Sequence, residues 1–129
     1  MSAQARLKTV LVVDDNPTLV ELFAEVLNEL FYVKVANSAV EAITKLSSDS
    51  IDAVVCDYHL GTQNAEVVID WINEQQPRLA KKIILLTGEI GLDPNFSKNN
   101  FSVLYKPVEM EELLIAVESL FERNQGLME

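Results

Sequence analysis

Residues 10–18 read VLVVDDNPT: four apolar residues, three of them β-branched, run straight into two adjacent aspartates, Asp14 and Asp15, and then into Asn16 and Pro17. A continuously apolar, β-branched run is what a strand carries when helices cover both faces of its sheet, since no wet face exists for polar residues to alternate toward. Thr9 extends the run backward, giving a strand from Thr9 to Val13. Asn16 supplies a side-chain oxygen for the free N–H groups of a helix start, and Pro17 has its φ preset for the first turn. Apolar residues then recur at Leu19, Leu22, Phe23, Val26, Leu27 and Leu30, the intervals of three and four that mark one helix face. A buried strand thus hands over to an amphipathic helix through two carboxylates, whose presence there needs a reason.

The same handover repeats along the chain. Tyr32 to Ala36 alternates as a strand does, and Ser38 to Leu46 opens with Ser38 and Glu41 at capping-box spacing before Ala42, Ile43 and Leu46. Ile51 to Cys56 is another continuously apolar strand, Val67, Val68, Trp71 and Ile72 form a helical stripe, and Lys82 to Thr87 is a further strand. Phe101 to Tyr105 is the last strand and Met110 to Phe121 the last amphipathic helix. Between Thr87 and Phe101 stand Gly88, Gly91, Pro94, Asn95, Asn99 and Asn100, turn-forming residues that allow at most a short helix. No internal repeat, low-complexity tract or linker interrupts the pattern. Strands alternating with helices predict an α/β fold: one doubly wound, five-stranded parallel sheet with helices on both faces and right-handed crossovers.

Composition narrows the function. A chain of 129 residues with 49% hydrophobic content fits one domain with a core of its own, needing neither disulfides nor a structural metal. The formal charge of −10, from 20 acidic and 10 basic residues, repels phosphate backbones and anionic lipid, so neither nucleic acid nor a membrane surface is expected as a partner. The single cysteine, Cys56, lies in the apolar run IDAVVCD and reads as a buried thiol, in keeping with a reducing compartment. The first residues carry no long apolar stretch, and no run approaches the about 18 apolar residues of a membrane span. A cytoplasmic protein is expected.

Ligands of open parallel α/β sheets bind in the crevice outside the carboxyl ends of the strands. The first strand ends in Asp14 and Asp15, the third in Asp57, the fourth in Thr87, and the fifth in Lys106 followed by Pro107. The fold therefore delivers three acids, a hydroxyl and an ammonium to one edge. Three neighbouring carboxylates raise one another's pKa unless a cation sits among them, and Lys106 alone cannot neutralise them. Mg²⁺ suits the set, because it takes hard oxygens, accepts one or two direct carboxylates, keeps several waters, and is completed by phosphoryl groups. A carboxylate beside Mg²⁺, with an ammonium and a hydroxyl placed for the outer oxygens of a phosphoryl group, can form an acyl phosphate.

The segments VVDDN, VVCDYHLG, ILLTGE and LYKPV, in that order at four strand ends, resemble the receiver domains of two-component response regulators, the CheY-like family. The resemblance covers about residues 8–122 of a single domain spanning 1–129, with no output domain expected, and implies strand order 2-1-3-4-5. Position by position it implies that Asp57 accepts the phosphoryl group, that Asp15 and Asp57 ligate Mg²⁺ directly, and that Asp14 acts mainly through a metal-bound water. It further implies the His59 backbone carbonyl as a ligand, Thr87 and Lys106 as contacts to the phosphoryl oxygens, and a cis Lys106–Pro107 bond. A histidine kinase or phosphotransfer protein would be the donor, and the domain would promote only its own phosphorylation and dephosphorylation.

The sequence departs from the family pattern in places. Val103 stands where an aromatic switch residue is usual, so the switch is expected to involve Thr87, Gly88, Val103, Tyr105 and Pro107 differently. Phosphorylation is expected to reorder Gly88 to Asn100, drawing Thr87 and Gly88 toward the phosphate. Phe101 and Tyr105 share Val103's face by alternation and read as packing residues. Ala65 replaces a usual glycine and Gly61 a usual proline, and the spacing from Thr87 to Lys106 is short, predicting a short or irregular fourth helix. His59 reads as a loop side chain, Trp71 as core, and the EMEEL segment as a solvated first turn. Two alternatives stand beside the receiver: an interaction module whose contacts do not depend on phosphate, and an aspartyl-nucleophile phosphohydrolase, whose usual second acid is missing from DYH.

Overall fold

The computed structural model describes residues 7–88 and 101–126, with side chains through residue 122. Five parallel strands form one sheet: β1 (Thr9–Val13), β2 (Tyr32–Ala36), β3 (Ala53–Asp57), β4 (Ile83–Thr87) and β5 (Ser102–Tyr105), in the order β2-β1-β3-β4-β5. The helices are α1 (Pro17–Leu27), α2 (Ala39–Ser48), α3 (Ala65–Gln75) and the last helix, α4 (Met110–Gly126). The crossover from β4 to β5, where the sequence predicts a short or irregular helix, falls in residues 89–100 and lies outside the described residues.

Strand alternation assigns the core to the two sides of the sheet. Val10, Val12, Val55, Ile84 and Leu86 pack with Phe23 and Leu27 of α1 and with Leu113 and Val117 of α4. Leu11, Val13, Val54, Cys56, Ile83 and Leu85 face Ala42 and Leu46 of α2 and Val68, Ile69 and Ile72 of α3. Every residue of β3 and β4 is buried, which is why those strands are apolar up to their last residues, Asp57 and Thr87, whereas edge strands β2 and β5 are only partly covered. Full burial of each large aliphatic side chain contributes about 1.5–3 kcal/mol. The sheet's interior is therefore the rigid platform on which the strand ends are held.

The helix starts are capped as their residue types suggest. Asn16 Oδ1 accepts from the N–H groups of Thr18 at 3.0 Å and Leu19 at 3.3 Å, and Ser38 Oγ accepts from Glu41 N–H at 3.0 Å. Glu41 Oε1 reaches back to Asn37 N–H at 2.7 Å, one residue earlier than a capping box would place it. Asn64, which the periodicity does not single out, caps α3 by accepting from Glu66 N–H at 2.8 Å.

Two helix-face expectations and one strand expectation are corrected. Leu22, placed on the core stripe of α1, is exposed and Val20 is buried instead; Leu30, placed on the same stripe, falls past the end of α1 and is also exposed. In α3 the buried set is Ala65, Val68, Ile69 and Ile72; Val67 is exposed and Trp71 packs only partly buried at the rim of the cluster. An apolar residue on either flank of a stripe fits the same spacing, and only the helix's rotation against the sheet chooses between them. Tyr105, read as a packing residue, is 51% exposed, because β5 is the sheet edge and its last residue projects beyond the cover; Phe101 and Val103 do pack against the α2–α3 cluster. A 3₁₀ turn (Pro77–Lys82) and a short antiparallel hairpin pairing His59–Leu60 with Gln63–Asn64 add to the predicted elements. Among the described residues no helix is long and apolar enough to cross a membrane.

Candidate functional site at the carboxyl ends of the strands

β1, β3, β4 and β5 run parallel in adjacent register, so their last residues arrive at one edge. Asp14 directly follows β1, with its N–H bonded to Ala36 O of β2 at 3.1 Å, and is 1% exposed. Asp57 closes β3 opposite Leu86 and is 4% exposed. Thr87 closes β4, pairs with Tyr105 and is buried. Lys106 follows β5, and its N–H donates to Thr87 O at 2.8 Å, which ties the ends of β4 and β5 together. The Lys106–Pro107 bond is cis.

The three carboxylates and the ammonium lie close together. One carboxylate oxygen from each of Asp14, Asp15 and Asp57 lies within 4.8 Å of the others, Asp14 and Asp57 buried and Asp15 exposed. Lys106 Nζ lies 2.6 Å from Asp57 Oδ1, a charge-assisted contact to a nearly buried carboxylate. Asp14 Oδ1 accepts from Asn16 N–H at 2.9 Å, while Asp14 Oδ2 is buried and has no hydrogen-bond partner. His59 sits in the hairpin just past Asp57, its exposed ring edge-on to Tyr58 at a centroid distance of 5.0 Å. Gly88 is exposed beyond Thr87, and Val103 is half-buried among aliphatic neighbours. The contact that sequence reasoning missed is from Gly61 N–H to Asp15 Oδ2, at 3.0 Å across 46 positions.

The orphaned Asp14 oxygen tests whether a cation suits the site. A buried carboxylate oxygen with no donor costs free energy, and a divalent ion among three hard oxygen donors removes that cost; the residues fit Mg²⁺. Burial is the main cause that raises the Asp14 carboxyl above the ordinary aspartate range, and the Asp57 and Asp15 charges add to it. The Asn16 N–H and Lys106 pull in the other direction. Burial likewise pushes the Cys56 thiol up, so it stays protonated beside the site.

The folded protein thus holds the Asp14 proton to higher pH than the unfolded chain. Its ionisation costs stability as pH rises through that window, and the cost disappears below it. Asp14→Asn keeps an acceptor for Asn16 and removes the charge. It is expected to stabilise the metal-free protein at neutral pH by about 1–2 kcal/mol and to flatten the fall in stability above the aspartate range. Urea titrations in chelator across that range check this, and a less stable variant at neutral pH would contradict it.

The model of the response regulator receiver domain family matches residues 10–118, most of the chain. The chain belongs to the response regulator receiver domain family. This receiver domain is 29% identical over 114 residues to hybrid signal transduction histidine kinase D of Dictyostelium discoideum, an alignment covering 86% of the present chain and only 7% of that protein. Among solved structures it is similar to a response regulator receiver domain protein from Clostridium thermocellum, with 28% identity, a TM-score of 0.79, and coverage of 95% of this chain and 100% of that one. A CheY-like receiver domain protein from Methanospirillum hungatei JF-1, at 22% identity, shares the fold with a TM-score of 0.81, covering 93% of this receiver domain and 98% of its own chain. The predicted doubly wound parallel sheet, with its order 2-1-3-4-5, is the one observed.

Proposed function

We propose that this receiver domain, a single unit with its core over about residues 8–122, takes a phosphoryl group onto Asp57 from a histidine kinase or phosphotransfer protein and changes its protein contacts in response. The observation that carries the reading is the Asp14, Asp15 and Asp57 carboxylate cluster with Lys106 Nζ 2.6 Å from Asp57, in a chain of this family. In the transfer a carboxylate oxygen of Asp57 forms an O–P bond as the donor's N–P bond breaks, and the leaving imidazole of the donor keeps the electron pair and takes up a proton. The domain acts on itself and turns over no separate substrate.

Asp15, Asp57 and the His59 backbone carbonyl would hold Mg²⁺ directly, and Asp14 would hold it through a bound water. Bound there, the cation neutralises carboxylate and phosphoryl charge. Lys106 and Thr87 would meet the phosphoryl oxygens, and Asp14 offers an acceptor for a metal-bound water at its free Oδ2. The protein's work is positioning and charge neutralisation. Thr87 and Gly88, with Val103, Tyr105 and Pro107, would carry the conformational response, and the buried reduced Cys56 suits a cytoplasmic setting.

Intact-protein mass spectrometry after incubation with phosphoramidate tests the reading. Gain of one phosphoryl group with Mg²⁺ and none in chelator is the expected pair of results. No gain in either condition would leave a folded interaction module that does not use phosphate.

A further inference from the structure

Between β3 and α3 the chain makes a small hairpin whose tip reaches back to the acidic cluster. His59 pairs with Asn64 and Leu60 with Gln63 in antiparallel register, leaving Gly61 and Thr62 as a two-residue turn. Turns of that length require positive φ at a central residue, and Gly61 supplies it at φ +69°. The base of the hairpin is fixed from several directions. Tyr58 N–H donates to Leu86 O at 2.8 Å, Ala65 N–H donates to Tyr58 O at 2.8 Å, and the Tyr58 hydroxyl donates to Glu66 Oε2 at 3.0 Å. Leu60 anchors the first strand in the core. From that platform the Gly61 N–H reaches Asp15 Oδ2 at 3.0 Å.

We propose that Gly61 is a positioning residue for the cation site, its N–H fixing the Asp15 carboxylate so that Oδ1 is presented to a divalent cation before one binds. The proposal rests on the Mg²⁺ reading of the cluster. Asp14 and Asp57 are buried and held by the Asn16 N–H and the Lys106 ammonium, whereas Asp15 is exposed and shares neither restraint. Its order comes from the Gly61 bond, and a ligand already ordered loses less rotamer freedom when a cation arrives. An N–H donated to a carboxylate is charge-assisted and occupies one oxygen, leaving the other for the metal. Outer partners of this kind change metal affinity about 10–100-fold when removed.

Space does not tie this position to glycine, because a Cβ at Gly61 would meet nothing within 4 Å. The backbone does, through its positive φ and its N–H. Asparagine tolerates that φ and keeps the N–H, whereas proline is locked near the opposite sign of φ and has no N–H. Gly61→Asn should therefore retain the device and Gly61→Pro should lose it.

Calorimetric Mg²⁺ titration of the wild type and both variants tests this, together with amide exchange at Gly61 in metal-free wild type and in Asp15→Ala. Gly61→Pro is expected to bind Mg²⁺ about tenfold more weakly, with Gly61→Asn within about threefold of wild type. The Gly61 amide should exchange faster in Asp15→Ala while the Ala65 amide, at the hairpin base, keeps its rate. If Gly61→Pro opens the hairpin, seen as lost Ala65 protection, the Asp15→Ala comparison decides alone. Equal Mg²⁺ affinity in an intact Gly61→Pro protein, or Gly61 exchange indifferent to Asp15→Ala, would overturn the proposal and leave the Mg²⁺ site standing. A wild type that binds no Mg²⁺ would overturn both.

Discussion

Asp57→Asn protein is expected to take up no phosphoryl group from acetyl phosphate or phosphoramidate under conditions that label the wild type. The substitution is nearly isosteric, at a residue 4% exposed at the end of the fully buried strand β3, so the platform beneath it is unchanged. An amide oxygen is no anionic nucleophile, and the variant keeps only the Asp14 and Asp15 carboxylates of the cluster. Loss of labelling should be complete, whereas the fold should persist and gain from reduced repulsion around the buried Asp14. Intact mass of the two proteins, side by side, reads the outcome. Equal labelling would move the acceptor to another residue.

Lys106→Met should separate phosphate uptake from its consequence. In the unmodified protein the ammonium is the nearest counter-charge of Asp57, and the backbone of the same residue bonds Thr87 O, so Lys106 links the acceptor to the ends of β4 and β5. Phosphorylation would offer the ammonium phosphoryl oxygens in place of Asp57 Oδ1, and a strand end bonded to that residue follows it. A ligand or modification shifts a conformational equilibrium only through differential contacts, and this contact is one of them. Methionine keeps the stem and removes the charge. The variant should still be labelled, but the change in β5 amide resonances on phosphorylation should fall to near zero. In metal-free buffer it should also lose about 1–2 kcal/mol of stability, a value kept small because Lys106 is about a third exposed. An unchanged spectral response in Lys106→Met would remove this residue from the switch.

Much of this was legible because parallel-sheet geometry turns sequence order into spatial convergence. Asp14, Asp57, Thr87 and Lys106 are far apart in the chain, yet each ends or follows a strand whose apolar run can be read directly, and the sheet brings them to one edge. Caps at Asn16 and Ser38 were legible for a local reason, since a side-chain oxygen and its N–H partner are two or three residues apart. Helix rotation was not. Leu22 and Val20, or Val67 and Ile69, satisfy the same spacing, and the choice between them is made by tertiary packing alone. The hairpin after Asp57 escaped because its paired segments are two residues each, too short for any periodicity, although glycine followed by threonine between them is a turn signal. The Gly61 contact to Asp15 depends on a backbone N–H and a sheet crossing, which no residue type announces.

The most direct test locates the phosphoryl group. Protein labelled with phosphoramidate in Mg²⁺ is digested at low pH, where acyl phosphates persist long enough to be read, and the peptides are sequenced by tandem mass spectrometry. The modification is expected on Asp57 alone and absent from the chelator-treated sample. A phosphoryl group on a carboxylate or hydroxyl other than that of Asp57, or labelling that proceeds equally without Mg²⁺, would contradict the account of the carboxylate cluster as a cation-assisted acceptor site.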